Sequence, residues 1–236
     1  MTAKRQPKQP KQPPAIFAHL GNKRRIFEHI RAVLGGYRFK AIAEPFAGTA
    51  AVARSMGVGE VYLAEAHPEI RAVLEALARG DVDGLSAGWS RGSRFLYEKW
   101  NRDFYNRERT LTDRGWRGKI NALHHAARAL KDAVVLDDAF ALFEALGDDP
   151  DVAWFVDPPY PHTSMKGYAK GGWGMDEHRR VLDALARCSG PVVMTGYENM
   201  RPPKHLGFRE VAVIVTCPLA RGPNRTRVEY IWHRRK

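Results

Sequence analysis

Residues 153–160 read AWFVDPPY, and no other stretch limits the fold of the chain as tightly. Trp154, Phe155 and Val156 are apolar in succession, as expected of a strand buried on both faces of a sheet. Pro158 and Pro159 cannot continue its hydrogen-bond ladder, so the strand ends there. Asp157 and Tyr160 are thereby delivered to a carboxyl edge, which in open α/β sheets is where ligands bind. Asp-Pro-Pro alone is common turn chemistry. Four residues closing on an aromatic at the end of a buried strand are more demanding than a turn requires.

A chain of 236 residues, 44% hydrophobic, can bury one sizeable core, and one globular domain is expected, with room for an insertion. Lys and Arg number 38 against 26 acids, a net charge of +12, which points to a polyanionic partner such as nucleic acid. Charge alone does not separate DNA from RNA or from an anionic membrane. The apolar runs are strand-sized, far short of the ~20 residues that cross a bilayer, so no membrane partner is expected. The basic, proline-rich start is not followed by the apolar run of a secretory signal. Cys188 and Cys217 make neither a disulfide framework nor a metal cluster, and His124-His125 and the other histidines lack metal-ligand spacing. A cytoplasmic protein without a metal is expected, and a monomer.

Residues 1–14 hold Lys4, Arg5, Lys8 and Lys11 with four prolines and no acid, so a disordered basic tail is expected. In the following helical pattern Ile26, Phe27, Ile30, Val33 and Leu34 share one face, and Gly35-Gly36 end it. Gly21-Asn22-Lys23 therefore stands at or just before a helix N-terminus, where backbone N–H groups and a lysine could hold a carboxylate. Local sequence favours the plainer reading, a helix cap with a surface lysine. Residues 41–44 read as a strand, followed by Pro45-Phe46-Ala47-Gly48-Thr49-Ala50 and a helix through Met56. Strand, glycine turn and helix open a nucleotide-binding βαβ unit. The next strand, 61–64, ends in Glu65, about 20 residues on, where an acid can take the two hydroxyls of an adenosine ribose.

A helix from about 68 to 79 is followed by turn-rich residues 80–90 and then by a segment of different character. Between Arg91 and Lys131 there are 11 Lys or Arg against 4 acids, a net of +7. Phe95, Tyr97, Trp100, Phe104, Tyr105 and Trp116 are interleaved with them. Cations meeting phosphates and aromatics stacking on bases have this composition, as does a small helical subdomain whose aromatics are its core. The net charge favours DNA binding, with Arg91, Arg94, Lys99, Arg114, Arg117 and Lys119 as candidate contacts.

Residues 133–136 read as a strand ending in Asp137-Asp138, with a helix over 139–146. Asp138 suits either a cofactor adenine or a helix N-cap. Beyond the AWFVDPPY strand, residues 166–175 form a glycine-hinged loop carrying Tyr168 and Trp173, of the kind that closes over substrate. Asp176 is expected to cap a helix ended by Gly190-Pro191. Residues 192–195 make another buried strand, and 211–215 with 228–232 a closing antiparallel hairpin.

Taken in order, Gly21-Asn22-Lys23, Glu44-Pro45-Phe46-Ala47-Gly48, Glu65 and Asp157-Pro158-Pro159-Tyr160 resemble the pieces of the Dam-like DNA adenine methyltransferases. Thr195-Gly196-Tyr197 and the run from Arg227 to Trp232 look like that family's end pieces, and the likeness spans about residues 18–232. It implies an α/β, Rossmann-like methyltransferase sheet with helices on both faces and a small, mainly helical insert. The catalytic domain would comprise 15–80 and 133–236, and the basic target-recognition insert 81–132. S-Adenosylmethionine is the implied cofactor, with Gly21, Asn22, Lys23, Glu44, Phe46, Gly48, Glu65, Asp138 and Asp157 around it. Lys23 would meet its methionine carboxylate, Glu65 its ribose and Asp138 its adenine. One departure stands out: the family's loop reads Phe-x-Gly-x-Gly, and here the last position is Ala50, whose methyl would crowd the methionine end.

The implied reaction is methylation of the N6 amino group of an adenine flipped out of double-stranded DNA. An exocyclic amine is a poor nucleophile because its lone pair is delocalised into the ring. Acceptors on its two N–H bonds, the Asp157 carboxylate and the Pro158 carbonyl, would favour a pyramidal nitrogen whose lone pair points at the methyl group. Pro159 shapes the turn and Tyr160 would stack on the base. The same four residues also serve methylation of cytosine N4 or of RNA adenine, and a catalytically inactive DNA-binding homologue is a further alternative.

Overall fold

The structure, a computed structural model, describes residues 13, 14, 16, 23, 26–89, 113–161, 173–216 and 226–235, with backbone alone for 86–89, 113–117, 216, 226 and 227. Seven strands form one mixed sheet: β1 (Ala41–Glu44), β2 (Glu60–Ala64), β3 (Val134–Leu136), β4 (Val152–Val156), β5 (Val192–Gly196), β6 (Arg209–Thr216) and β7 (Thr226–Arg234). Their order is β3-β2-β1-β4-β5-β7-β6. The pairs β2–β3, β1–β2, β1–β4 and β4–β5 are parallel, while β7 runs antiparallel to both β5 and β6. The closing hairpin thus forms as expected, with β7 inserted beside β5 and β6 left at the edge.

Strand β4 lies in the middle and is buried along its whole length. Its side chains alternate as a pleated strand demands. Ala153 and Phe155 join Ile42, Leu63, Val193 and Ile231 on one face. Val152, Trp154 and Val156 join Ala41, Ala43, Val192, Met194 and Trp232 on the other. The first face is covered by the helices Phe27–Gly35, Pro68–Ala78 and Asp113–Ala129. The second is covered by Ala139–Leu146 and Met175–Arg187, with Phe143 stacked on Trp154 at 4.8 Å between centroids. The α/β sheet with helices on both faces is therefore as expected.

Several expectations change. Residues 82–89 are helical, not turn-rich. The Asp81 carboxylate accepts the Gly84 N–H at 2.8 Å and caps this helix, and a Cβ at Gly84 would meet that carboxylate at 2.4 Å. Gly84 is there to admit the cap, not to break the helix. Val82, Ala122, Leu123, Ala126, Ala127 and Leu130 are buried in the first core, so both ends of the supposed 81–132 insert belong to the main domain. Only residues 90–112 lie between the two helices, outside the described residues. The last helix begins at Met175, not at Asp176: Gly174 precedes it, and its N–H is taken by the Glu177 carboxylate at 2.8 Å. The end of the basic tail is held as well, since Pro13 and Ile16 are buried and the Pro14 carbonyl accepts from the Arg54 guanidinium at 3.2 Å.

The turn into β5 leaves no space at Gly190, where a Cβ would stand 1.9 Å from the Val152 carbonyl oxygen. Gly190→Ala has to push β4 and β5 apart and is expected to cost about 3 kcal/mol. Denaturant unfolding checks this, and an unchanged midpoint would refute the clash.

Candidate functional site

The strand order reverses direction at β1, which has β2 on one side and β4 on the other. A crevice opens at the carboxyl ends of strands at such a switch point. Four neighbouring strands deliver polar or aromatic groups there: β3 is followed by Asp137 and Asp138, β2 by Glu65, β1 by Phe46 and Gly48, and β4 by Asp157.

The turn after β1 is tightly folded. Ala47 N–H reaches the Ala64 carbonyl at 3.0 Å, tying the turn to β2, and Ala50 N–H reaches the Ala47 carbonyl at 2.7 Å. Gly48 and Ala50 both take left-handed backbone angles, with φ of 51° and 48°. For alanine that conformation costs about 1–2 kcal/mol. The Ala50 methyl is fully buried in the core and does not project into the crevice, so the expected crowding of the methionine end does not arise from it.

Two glutamates hold this turn and the helix that follows it. Glu44 is 1% exposed and its carboxyl takes the Ala53 N–H at the start of the helix Ala53–Met56, so it braces the far end of the loop instead of lining the crevice. Burial pushes its pKa up to about 8, against the opposing pull of the Ala53 N–H and Arg54. Glu65 stands at the crevice. One of its oxygens accepts the Gly48 N–H at 2.9 Å and the other the His67 N–H at 2.8 Å. Each carboxylate oxygen can accept twice, so one position on each oxygen remains, which matches a vicinal diol. Burial raises the Glu65 pKa, with the two N–H groups opposing. Asp138 is the N-cap of Ala139–Leu146, accepting the Phe140 N–H at 2.9 Å, and remains exposed.

Phe46 meets Trp173 edge to face at 5.3 Å and 86°. The Trp173 indole N–H is buried and has no hydrogen-bond partner among the described residues. A buried donor left unpaired costs about 1–3 kcal/mol, and beside the glycine turn it is suited to an acceptor on a ligand.

At the end of β4, Asp157 is the centre of a small polar cluster. Lys23 Nζ lies 2.9 Å from Asp157 Oδ2, Thr195 Oγ1 donates to Oδ1 at 2.9 Å, and the Tyr160 hydroxyl donates to Oδ1 at 3.2 Å. Lys23 also donates to the Tyr160 hydroxyl at 2.6 Å. The Asp157 and Lys23 side chains are only 17% and 6% exposed. The surface lysine that local sequence favoured is therefore a buried one, and its ammonium is engaged with Asp157 and Tyr160. Burial raises the Asp157 pKa, Lys23 and Thr195 oppose that, and the nearby Glu229 carboxylate reinforces it. Burial also holds the Tyr160 hydroxyl well above its usual range. The Lys23 ammonium is 4.9 Å from the Tyr160 ring centre. Its short hydroxyl contact puts it at the oxygen end of the ring, and Tyr197 packs at 4.5 Å with a 59° tilt.

Thr195, Tyr197, Trp173 and Glu229 were not among the expected site residues. Thr195 and Tyr197 lie where β5 reaches the same edge as β4, a position that shows only once the strands are paired. Gly21, Asn22, Arg91, Arg94 and Lys99 lie outside the described residues, as do the side chains of Arg114 and Arg117. Lys119 is half-buried on the helix Asp113–Ala129. Pro158 is buried and Pro159 half-buried behind Asp157. Among the described residues no group of acids, histidines and cysteines has the arrangement of a metal site, and no helix is long and apolar enough to cross a membrane.

No family model matches the chain, and no curated protein does. Among solved structures, its backbone is similar to that of rRNA methyltransferase aviRa from Streptomyces viridochromogenes (14% identity, 88% of this chain and 82% of that one, TM-score 0.46). It is similar also to precorrin-6y C5,15-methyltransferase from Geobacter metallireducens (12% identity, 93% and 94%, TM-score 0.46). A third is precorrin 8W decarboxylase from Methanobacterium thermoautotrophicum (14% identity, 88% and 88%, TM-score 0.42). None of these likenesses carries the chemistry, which has to come from the side chains at the site.

Because the folded pKa of Glu44 lies above the ordinary value of 4.5, the stability it contributes is present at low pH and lost as pH rises from 4.5 through about 8. Glu44→Gln should flatten the fall in unfolding free energy across that window. An identical pH dependence in the variant would show that Glu44 is not the group responsible.

Proposed function

We propose that the chain transfers a methyl group from S-adenosylmethionine to the N6 amino group of an adenine turned out of double-stranded DNA. The observation that carries the reading is the acceptor state of Asp157. Oδ1 accepts from Thr195 and Tyr160 and Oδ2 from Lys23, so one of about four acceptor positions is left, and it belongs to a carboxylate held at a switch-point crevice. An amino group needs one such position.

The crevice residues fit an adenosine-bearing sulfonium donor. Glu65 has one acceptor position left on each oxygen for the ribose diol, the Trp173 N–H lacks an acceptor among the described residues, and Phe46 and the Gly48 turn lie between Glu65 and Asp157 in the strand order. Asp138 would keep its cap and offer its second oxygen to the adenine. S-Adenosylmethionine, when bound, supplies a methyl group made electrophilic by the sulfonium.

The chain's own residues prepare the nucleophile. Asp157 Oδ2 accepts one amino N–H and the Pro158 carbonyl the other, which turns the nitrogen lone pair out of the base plane. Tyr160, fixed through its hydroxyl, offers a ring face for the base, and Tyr197 backs it. As the N–C bond forms and the C–S bond breaks, the nitrogen becomes cationic and sheds a proton. Asp157 is the nearest base, and burial, which raises its proton affinity, suits it to pass that proton to solvent. The net charge of +12 and the basic stretch between Arg91 and Lys131 supply the attraction to a polyanion. The choice of DNA and adenine rests on the resemblance of the ordered motifs.

Labelled methyl transfer to duplex DNA, followed by nucleoside analysis, tests this directly. N6-methyladenine is expected. Label found only in RNA, or on cytosine, overturns the DNA adenine reading, and no transfer to any nucleic acid overturns methylation altogether. Asp157→Ala should lower transfer at least about 10²–10³-fold while leaving DNA affinity within about threefold. An equal loss of binding would remove Asp157 from the chemistry.

A further inference from the structure

Lys23 lies 134 positions before Asp157 in the chain, just ahead of the helix Phe27–Gly35, yet its ammonium ends inside the cluster at the end of β4. The helix packs on the face of the sheet that carries Ile42, Phe155, Val193 and Ile231, and the segment leading into it carries the Lys23 ammonium to Asp157 at the end of β4. One Lys23 hydrogen bond goes to Asp157 Oδ2 and another to the Tyr160 hydroxyl, which in turn donates to Asp157 Oδ1. The carboxylate is clasped through both oxygens.

We propose that Lys23 is a positioning residue for the Asp157 carboxylate, keeping it charged and fixing which of its acceptor positions faces the substrate amine, in place of gripping the carboxylate of the methyl donor. This rests on the reading of Asp157 as the acceptor for that amine.

The surroundings of Asp157 explain why a cation is needed there. Glu44 lies at the end of β1, Glu229 on β7 is 5% exposed and faces the same side of the sheet as Val213 and Ile231, and the hydroxyls of Tyr160 and Thr195 are neutral donors. Burial and the charge of Glu229 both favour the protonated form of Asp157, while the Lys23 ammonium opposes it most strongly. A protonated Asp157 would spend one oxygen on its own proton and lose its hold on the amine. An opposite charge at this distance lowers a carboxyl pKa by about 1–3 pH units. Removing Lys23 should let the Asp157 midpoint rise by that amount.

The test is a carboxyl-carbon NMR titration of the full chain labelled with 13C at aspartate, with the Asp157 signal assigned by its loss in Asp157→Asn. The Asp157 midpoint in Lys23→Met should be about 1–3 pH units higher than in the parent chain, and that in Lys23→Arg should stay near the parent value. The methylation rate of Lys23→Met should recover as pH rises, which a merely misfolded variant would not do, while S-adenosylmethionine affinity by calorimetry changes by less than about threefold. An unmoved Asp157 midpoint overturns the proposal, and so does a loss of donor affinity of about tenfold or more with no change in the pH profile. The NMR and calorimetric results stand without turnover, so a chain that shows the midpoint shift but methylates nothing sinks the proposed function and leaves the Lys23–Asp157 assignment intact.

Discussion

A carboxylate buried at the end of the central strand has to be matched by donors, and much of the architecture around the crevice answers that need. Taking an ionised group out of water costs several kcal/mol unless paired and hydrogen-bonded. Asp157 obtains Lys23 from ahead of the first helix, Thr195 from β5 and Tyr160 from its own turn. Two of these could not be placed without the sheet: β5 has to pair with β4 to present Thr195, and the helix Phe27–Gly35 has to pack on that sheet to bring in Lys23. The cluster is thus a consequence of the strand order as much as of the DPPY turn.

The other half of the crevice is organised around backbone N–H groups. The turn after β1 bends through two left-handed residues, Gly48 and Ala50, and leads into the helix Ala53–Met56. Glu44 takes the Ala53 N–H at the head of that helix, and Glu65 takes the Gly48 N–H within the turn. The two acids differ in consequence because they differ in solvent access. Glu44 is sealed in, and burial raises its proton affinity, whereas Glu65 reaches the crevice with acceptor positions to spare. In the proposed reaction the first keeps the shape of the donor site and the second touches the donor.

Legibility in the sequence followed the range of the interactions involved. The strands 41–44, 61–64 and 192–195 and the helix 139–146 were readable because apolar runs and their punctuation are local. Residues 80–90 are rich in turn formers, yet 82–89 are helical, and the missing side chain of Gly84 is what lets Asp81 cap that helix. Net charge extends an apparent insert as far as residue 131, although Leu123, Ala126 and Leu130 carry a helical stripe that packs on the main core. Charge on one face of a helix says nothing of what its other face covers.

By itself the sequence determined that a buried strand ends in Asp157-Pro158-Pro159-Tyr160, that a glycine turn follows the first strand, and that an acid follows the second, since each rests on the chemistry of adjacent residues. Tertiary structure alone decided that Lys23 is a buried partner of Asp157 and that Glu44 is buried against the head of the helix after the loop. It also decided that the Ala50 methyl points into the core and that Thr195 completes the carboxylate's shell. The physical reason is that burial and hydrogen-bond partners across dozens of residues are set by strand order and helix docking, and no pattern within a single stretch of chain carries them.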